Sequence, residues 1–157
     1  MNLRVLTEKD HNVFAKFFAD LRHSHHEALP HIFKEKPYIP TAEVFSKMLS
    51  DPNCVLFGAE KEGKLLGFCQ LNFKENPDIP EYPIRPAKIA HIEELYVAPE
   101  FRNQGVAAAL IGEAKRQARN RHAAKLTLMV WDFNKNAIAL YRKLGMTTTF
   151  CQMEEML

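Results

Sequence analysis

A chain of 157 residues is long enough to bury one core without disulfide or metal staples. With 46% hydrophobic and 25% charged residues it reads as an ordinary water-soluble globule. A net charge of +2 is too weak to argue for a nucleic-acid or membrane partner, and neither is expected. Cys54, Cys69 and Cys151 make no CxxC pair and no zinc spacing. They read as small core residues in a reducing compartment. No stretch approaches membrane-spanning length, and the N-terminus carries no cleavage-site pattern. The cytoplasm is the expected compartment.

Leu3 to Leu6 is a short apolar run that suits a first strand. Thr7 can cap a helix, with Asp10 three residues on. Val13, Phe14, Phe17, Phe18 and Leu21 recur at helical spacing and predict one buried face. His23, His26 and Glu27 follow on one helix face. Such a set could bind a metal or line a polar pocket. A solvated helix end is the simpler reading, and no metal is expected.

Pro30, Pro37 and Pro40 break the chain into an irregular segment. A second helix is predicted from Thr41 to Leu49, turning Val44, Phe45, Met48 and Leu49 inward. Val55 to Glu60 and Lys64 to Phe73 are apolar runs joined by Lys61-Glu-Gly63, which predicts a hairpin. Prolines 77, 80, 83 and 86 cannot pair as a central strand. They predict an extended excursion, either a plain loop or a wall of the substrate site.

Ala87 to Val97 is the next strand. Simple alternation puts His91, Glu93, Leu95 and Val97 on one face, and Glu94 and Tyr96 on the other. A helix over about 105–121 follows, its Val106, Ala107, Leu110, Ile111, Ala114 and Ala118 facing the sheet. Leu126, Leu128 and Val130 suit another strand. Asn134 to Leu144 suits a helix closed by Gly145. Thr147 to Leu157 is expected to add a final strand. Strands and helices alternate after a hairpin, so the sheet is mixed and residues 1–157 read as a single α/β (α+β) domain.

The chemistry concentrates where Leu95-Tyr-Val-Ala-Pro-Glu-Phe-Arg-Asn-Gln-Gly105-Val-Ala107 turns from strand into helix. The first N–H groups of a helix lack internal partners, and its macrodipole makes that end positive. Gly105 lets the backbone come close to a ligand there. With Arg102 just before it, the turn is a cradle for phosphates. It has neither the Gly-Lys-Ser/Thr ending of a nucleotide P-loop nor a second glycine for a dinucleotide fingerprint.

The spacing Arg102-x-x-Gly105-x-Ala107, after a strand ending Leu-Tyr-Val-x-Pro, resembles the acyl-CoA-binding motif of the GNAT N-acetyltransferases. Asn134-x-x-Ala137-Ile-x-Leu-Tyr141-x-x-x-Gly145 resembles the family's later motif. The resemblance runs from about Leu56 to Met146. It implies a central mixed, mostly antiparallel sheet of six to seven strands, splayed at an acetyl-CoA site and flanked by about four helices. Acetyl-CoA is the implied co-substrate. Its pyrophosphate would lie on the N–H groups of Asn103, Gln104, Gly105, Val106 and Ala107, with Arg102 adding charge. Leu95, Tyr96 and Val97 would meet the pantetheine arm beside a bulge in the strand, and Asn134 would bind that arm too.

The resemblance also implies that Tyr141 protonates the departing thiolate. Glu93 matches a carboxylate that several relatives use as a base through water, and His91 stands where others place theirs. Direct transfer in a ternary complex follows, since no cysteine lies on the motif face. Trp131 and Phe133 could pack near the acyl arm or serve only the core. A small-molecule primary amine is the expected acceptor. A protein N-terminus or lysine is the alternative, and an acyl-CoA sensor without turnover is an alternative of another class. Dimers are common in the family, and the last strand could mediate one.

Overall fold

A computed structural model describes residues 1–81 and 83–156. Five strands form one sheet in the order β1-β2-β3-β4-β5. They are β1 (Asn2–Val5), β2 (Cys54–Lys61), β3 (Lys64–Asn76), β4 (Ala87–Val97) and β5 (Lys125–Leu128). Neighbours run antiparallel except β4 and β5, which are parallel. The intervening helix α3 (Val106–Asn120) makes the crossover that a parallel pair requires.

The helices α1 (His11–Ala28) and α2 (Ala42–Ser50) cover one face of the sheet. The phenylalanine stripe is the reason: Phe14, Phe17 and Phe18 are buried on α1 with Phe45 of α2 and Phe68 of β3. The Phe14 ring lies 4.7 Å from Phe45 and 4.8 Å from Phe68, centroid to centroid. Burying each such ring contributes about 1.5–3 kcal/mol. On the other face, Val106, Leu110, Ile111, Ala114 and Ala118 of α3 pack on Leu71, Ala90 and Ile92. Helix α4 (Lys135–Lys143) sits beside α3, where Lys115 Nζ donates to Leu144 O at 2.5 Å. No helix among the described residues is long and apolar enough to cross a membrane.

Thr7 and Asp10 begin a 3-10 turn, Glu8–Asp10, rather than the α-helix itself, which starts at His11. The Thr7 N–H donates to Asp10 Oδ2 at 2.7 Å, and Arg4 grips the same carboxylate with two nitrogens at 2.8 Å. Arg4 also donates to Glu60 at 2.5 Å, tying β1 to β2. Above all its bonds to Arg4 hold the Asp10 carboxyl down at about 2. An unfolded Asp titrates near ~3.9, so this contribution is complete above that pH and is lost as pH falls through the folded value. Asp10→Asn is expected to cost about 1 kcal/mol in urea unfolding at neutral pH. Its deficit against the parent should close between about pH 4 and pH 2.

Two expectations are corrected. Residues 147–156 form no strand, so the described sheet has five strands rather than six or seven. The apolar residues Phe150, Met153 and Met156 recur every third position and are exposed. A strand face needs every second position.

The second correction concerns β4. Gln70 pairs with Glu94 while the next residue, Leu71, pairs with Ile92, so Glu93 is an extra residue with no partner on β3. This β-bulge breaks the alternation. Ala90, Ile92, Leu95 and Val97 all pack toward α3. On the other side, Glu94 meets Arg22 and Tyr96 meets Phe17 and Asp20, all on α1. Glu93 bonds Asn72 and His91 bonds Thr127. His91 and Glu93 thus leave the face of Leu95 and Val97, while Glu94 and Tyr96 stand opposite those two as alternation expects.

Candidate active site

The bulge marks the point where the sheet opens. β5 pairs with β4 only from Ile89 to Ile92, opposite Lys125 to Leu128. Beyond Leu128 the chain leaves the ladder and turns toward α4. From Glu94 to Val97, β4 keeps β3 on one side and, among the described residues, has no strand on the other. The Ala98 N–H donates to Leu66 O at 3.0 Å, on the β3 side. Backbone direction alternates along an antiparallel strand, so Leu95 and Val97 turn their N–H and C=O toward the opening.

At the end of β4 the chain makes a 3-10 turn, Pro99–Phe101, and then the tight turn into α3. Arg102 Nε donates to Val97 O at 3.1 Å, and Gln104 Nε2 donates to Glu100 O at 2.9 Å. Both side chains therefore brace the turn. Asn103 has φ 60° and Gly105 has φ 80°, both left-handed, which only glycine adopts without strain. Left-handed residues on either side of Gln104 make a turn that aims its successive N–H groups to one side. The first helical bond of α3 runs from Ala109 N to Gly105 O. Among the described residues, no acceptor meets the N–H groups of Asn103, Gln104, Gly105, Val106, Ala107 or Ala108. A Cβ placed on Gly105 would find no atom within 4 Å, so the space over these donors is open.

A cleft occupies the opening between the parted strands. Leu95, Glu93 and Glu94 of β4 line it, with Trp131, Asn134 and Tyr141 from beyond β5. Asn134 caps α4, its Oδ1 accepting from Ala137 N at 3.2 Å. Tyr141 lies seven residues on, about two turns along the same helix. Gly145, at φ 86°, then closes α4, with its N–H on Arg142 O and that of Met146 on Tyr141 O. Burial pushes the Tyr141 phenol up to about 12, so it keeps its proton at neutral pH. Its hydroxyl has no hydrogen-bond partner among the described residues.

Glu93 is exposed and lines the cleft, accepting from Asn72 Nδ2 at 3.2 Å, with Lys74 Nζ at 3.6 Å. His91 is placed differently. It is half-buried, does not line the cleft, and its Nδ1 lies 2.8 Å from Thr127 Oγ1 in the paired part of the sheet. Burial lowers its pKa. Tyr96 turns its buried ring to α1, with its hydroxyl 3.3 Å from Asp20 Oδ2. Only its backbone runs near the opening. Glu94 is ion-paired with Arg22, and burial raises its pKa despite that partner.

Cys69 is fully buried and its thiol is pushed well up by burial, so it is no nucleophile. His23 reaches Glu27 at 3.4 Å, while His26 Nδ1 turns to Phe33 O at 2.8 Å. No group of three metal-ligating side chains gathers among the described residues.

The spacing argument passed over His25. It lines the cleft, and its ring stacks with Phe33 and Phe133, 5.0 and 5.8 Å between centroids. The signal was present: His25 lies four residues after Leu21 and continues the buried stripe of α1.

The fold has its counterpart in known proteins. The chain matches the model of the acetyltransferase (GNAT) family over residues 18–146. It is 28% identical over 150 residues to the uncharacterized N-acetyltransferase YhfO of Bacillus subtilis (strain 168), covering 92% of this chain and 89% of that protein. Over a shorter stretch of 51 residues it is 45% identical to a thialysine N-epsilon-acetyltransferase of Caenorhabditis elegans, 32% of each chain. The chain spans about a third of the length of the first curated relatives it matches. Its fold superimposes on the crystal structure of a mutant BH1408 protein from Bacillus halodurans with a TM-score of 0.94, at 21% identity, covering 100% of this chain and 99% of that one. A match over most of the chain's length decides the family: the protein belongs to the GNAT acetyltransferases.

Proposed function

We propose that this protein is an acetyl-CoA-dependent N-acetyltransferase that moves an acetyl group to the primary amine of a small molecule, in a ternary complex. One observation carries the reading. The strands part beside Leu95 and Val97, with a run of unpartnered N–H groups at one end of the opening and Tyr141 in the cleft. The donor run, open above Gly105, suits a diphosphate. The free edge of β4 suits an amide-bearing arm that pairs with it as an added strand. Acetyl-CoA would supply the thioester, an acyl group on a good leaving group.

The chain's own residues do the rest. The N–H groups from Asn103 to Ala107 hold the diphosphate, and Arg102 adds charge while bracing the turn. The backbone N–H groups of Leu95 and Val97 face the opening, where a donor to the acyl oxygen is wanted. Tyr141 holds a proton that it can give to the departing sulfur. Glu93 draws an ammonium into the cleft. Positioning accounts for most of the rate, since a held amine beside a held thioester reacts as if at very high concentration.

The small-amine preference rests on the cleft itself, walled by Leu21 and His25 of α1 on one side and by Met129, Val130 and Trp131 after β5 on the other. It is in keeping with the relative named for thialysine. The test is a panel of amines with acetyl-CoA, read as released thiol. Thiol release that needs a small amine is the expected result. Acetyl-CoA binding with no release for any amine would favour a sensor, and release only with peptides would move the acceptor to protein.

A further inference from the structure

We infer that His25 is a further catalytic residue: its imidazole Nε2 takes the proton from the acceptor ammonium inside the cleft. This rests on the acetyltransferase reading above.

The argument starts from the other ring nitrogen. His25 Nδ1 lies 2.7 Å from the Leu21 carbonyl oxygen, one helical turn back. A carbonyl only accepts, so Nδ1 carries the hydrogen and Nε2 is left with its lone pair. Nε2 has no hydrogen-bond partner among the described residues, although the ring lines the cleft. The ring is held between Phe33 and Phe133, and Trp131 packs edge-on against Phe33 at 5.1 Å. Two aromatic side chains from separate loops thus hold one half-buried imidazole, with Trp131 packed behind Phe33. An imidazole bonded through one nitrogen and bare at the other is oriented as a general base.

The surroundings keep it in the base form. Burial lowers its pKa, with the neighbouring Arg22 acting in the same direction and the Leu21 bond against it. Arg22 on the same helix is ion-paired with Glu94. From β4, the carboxylates of Glu93 and Glu94 line the same cleft, and from α4 the Tyr141 hydroxyl does. The β5–α4 loop contributes Trp131 and Asn134 to the lining but no charge. Glu93 is engaged by Asn72 and Lys74.

The step is a proton transfer. An N–H bond of the ammonium breaks, its electron pair stays on nitrogen, and the proton goes to Nε2. The imidazolium then releases it to solvent through the cleft mouth. The neutral amine is the nucleophile. As its nitrogen bonds the acyl carbon, the bond from that carbon to sulfur breaks, Tyr141 gives its proton to the sulfur, and the nitrogen's surplus proton restores the phenol.

The test uses the full chain with 15N-labelled histidine, together with His25→Gln, which keeps polar bulk but cannot take a proton. Nitrogen NMR should show His25 protonated at Nδ1, with Nε2 shifting when 2-phenylethylamine, spermidine or thialysine is added without coenzyme. His25→Gln should bind acetyl-CoA as the parent does, which also shows that it folds. It should lose about a hundredfold in kcat, with a smaller change in KM. The parent's kcat should fall as pH drops through the His25 pKa, and that acid limb should be missing in the variant. A proton on Nε2, an Nε2 signal indifferent to all three amines, or a variant that keeps the parent's kcat and pH profile would overturn the assignment. Failure of the parent to bind acetyl-CoA would instead overturn the acetyltransferase reading, and the tautomer measurement would still judge His25.

Discussion

Tyr141→Phe is expected to lower kcat about a hundredfold while leaving acetyl-CoA affinity within about twofold of the parent. The hydroxyl has no protein partner among the described residues, so its removal leaves no donor or acceptor stranded. The ring keeps its packing against the core beside Leu140 and Leu144. Folding should therefore be nearly unchanged, and thermal unfolding can confirm this. What disappears is a proton at the place where a thiolate must leave. A thiolate is a tolerable leaving group, which is why the loss is about two decades rather than four. Steady-state kinetics and calorimetric titration with acetyl-CoA separate the two quantities. Equal loss of kcat and affinity would turn Tyr141 into a binding residue.

The second large effect is at the turn. Gly105→Glu is expected to abolish measurable acetyl-CoA binding in a protein that still folds. Two penalties combine. Any side chain at φ 80° carries about 1–2 kcal/mol of backbone strain. A carboxylate there would also satisfy the donors that the diphosphate needs and repel its charge. Gly105→Ala separates these effects, because a Cβ meets nothing within 4 Å. Alanine should lower stability by about 1 kcal/mol and weaken binding only modestly. Retained affinity in the glutamate variant, measured by calorimetry, would show that the turn is not where the coenzyme sits.

The parts of this architecture that were legible in the sequence depend on near neighbours. The stripe of Phe14, Phe17, Phe18 and Leu21 needs only helical spacing to predict a buried face. The turn at Gly105 is likewise local. Tyr141 and Asn134 share one helix face by counting alone. What was hidden depends on partners far along the chain. The extra residue at Glu93 is visible only against β3, because nothing in His-Ile-Glu-Glu-Leu marks which position goes unpaired. Alternation therefore put Glu94 and Tyr96 opposite Glu93. His25 needed Phe33 and Phe133 around it before it could be told from its neighbours His23 and His26. The final strand failed for a simpler reason: its apolar residues keep a spacing of three.

The unpaired residue in β4 has a further consequence for how this chain tolerates change. Substituting Glu93 alters one side chain, but deleting it would restore an even count to the strand. Ile92 and Glu94, which already face the neighbouring residues Leu71 and Gln70, would then be adjacent, so every residue downstream would keep its side and only the bulge would vanish. Length at this position should therefore matter to the opening rather than to the fold: a variant that skips residue 93 should still fold, but with a straighter β4 and weaker acetyl-CoA binding than variants that only substitute it.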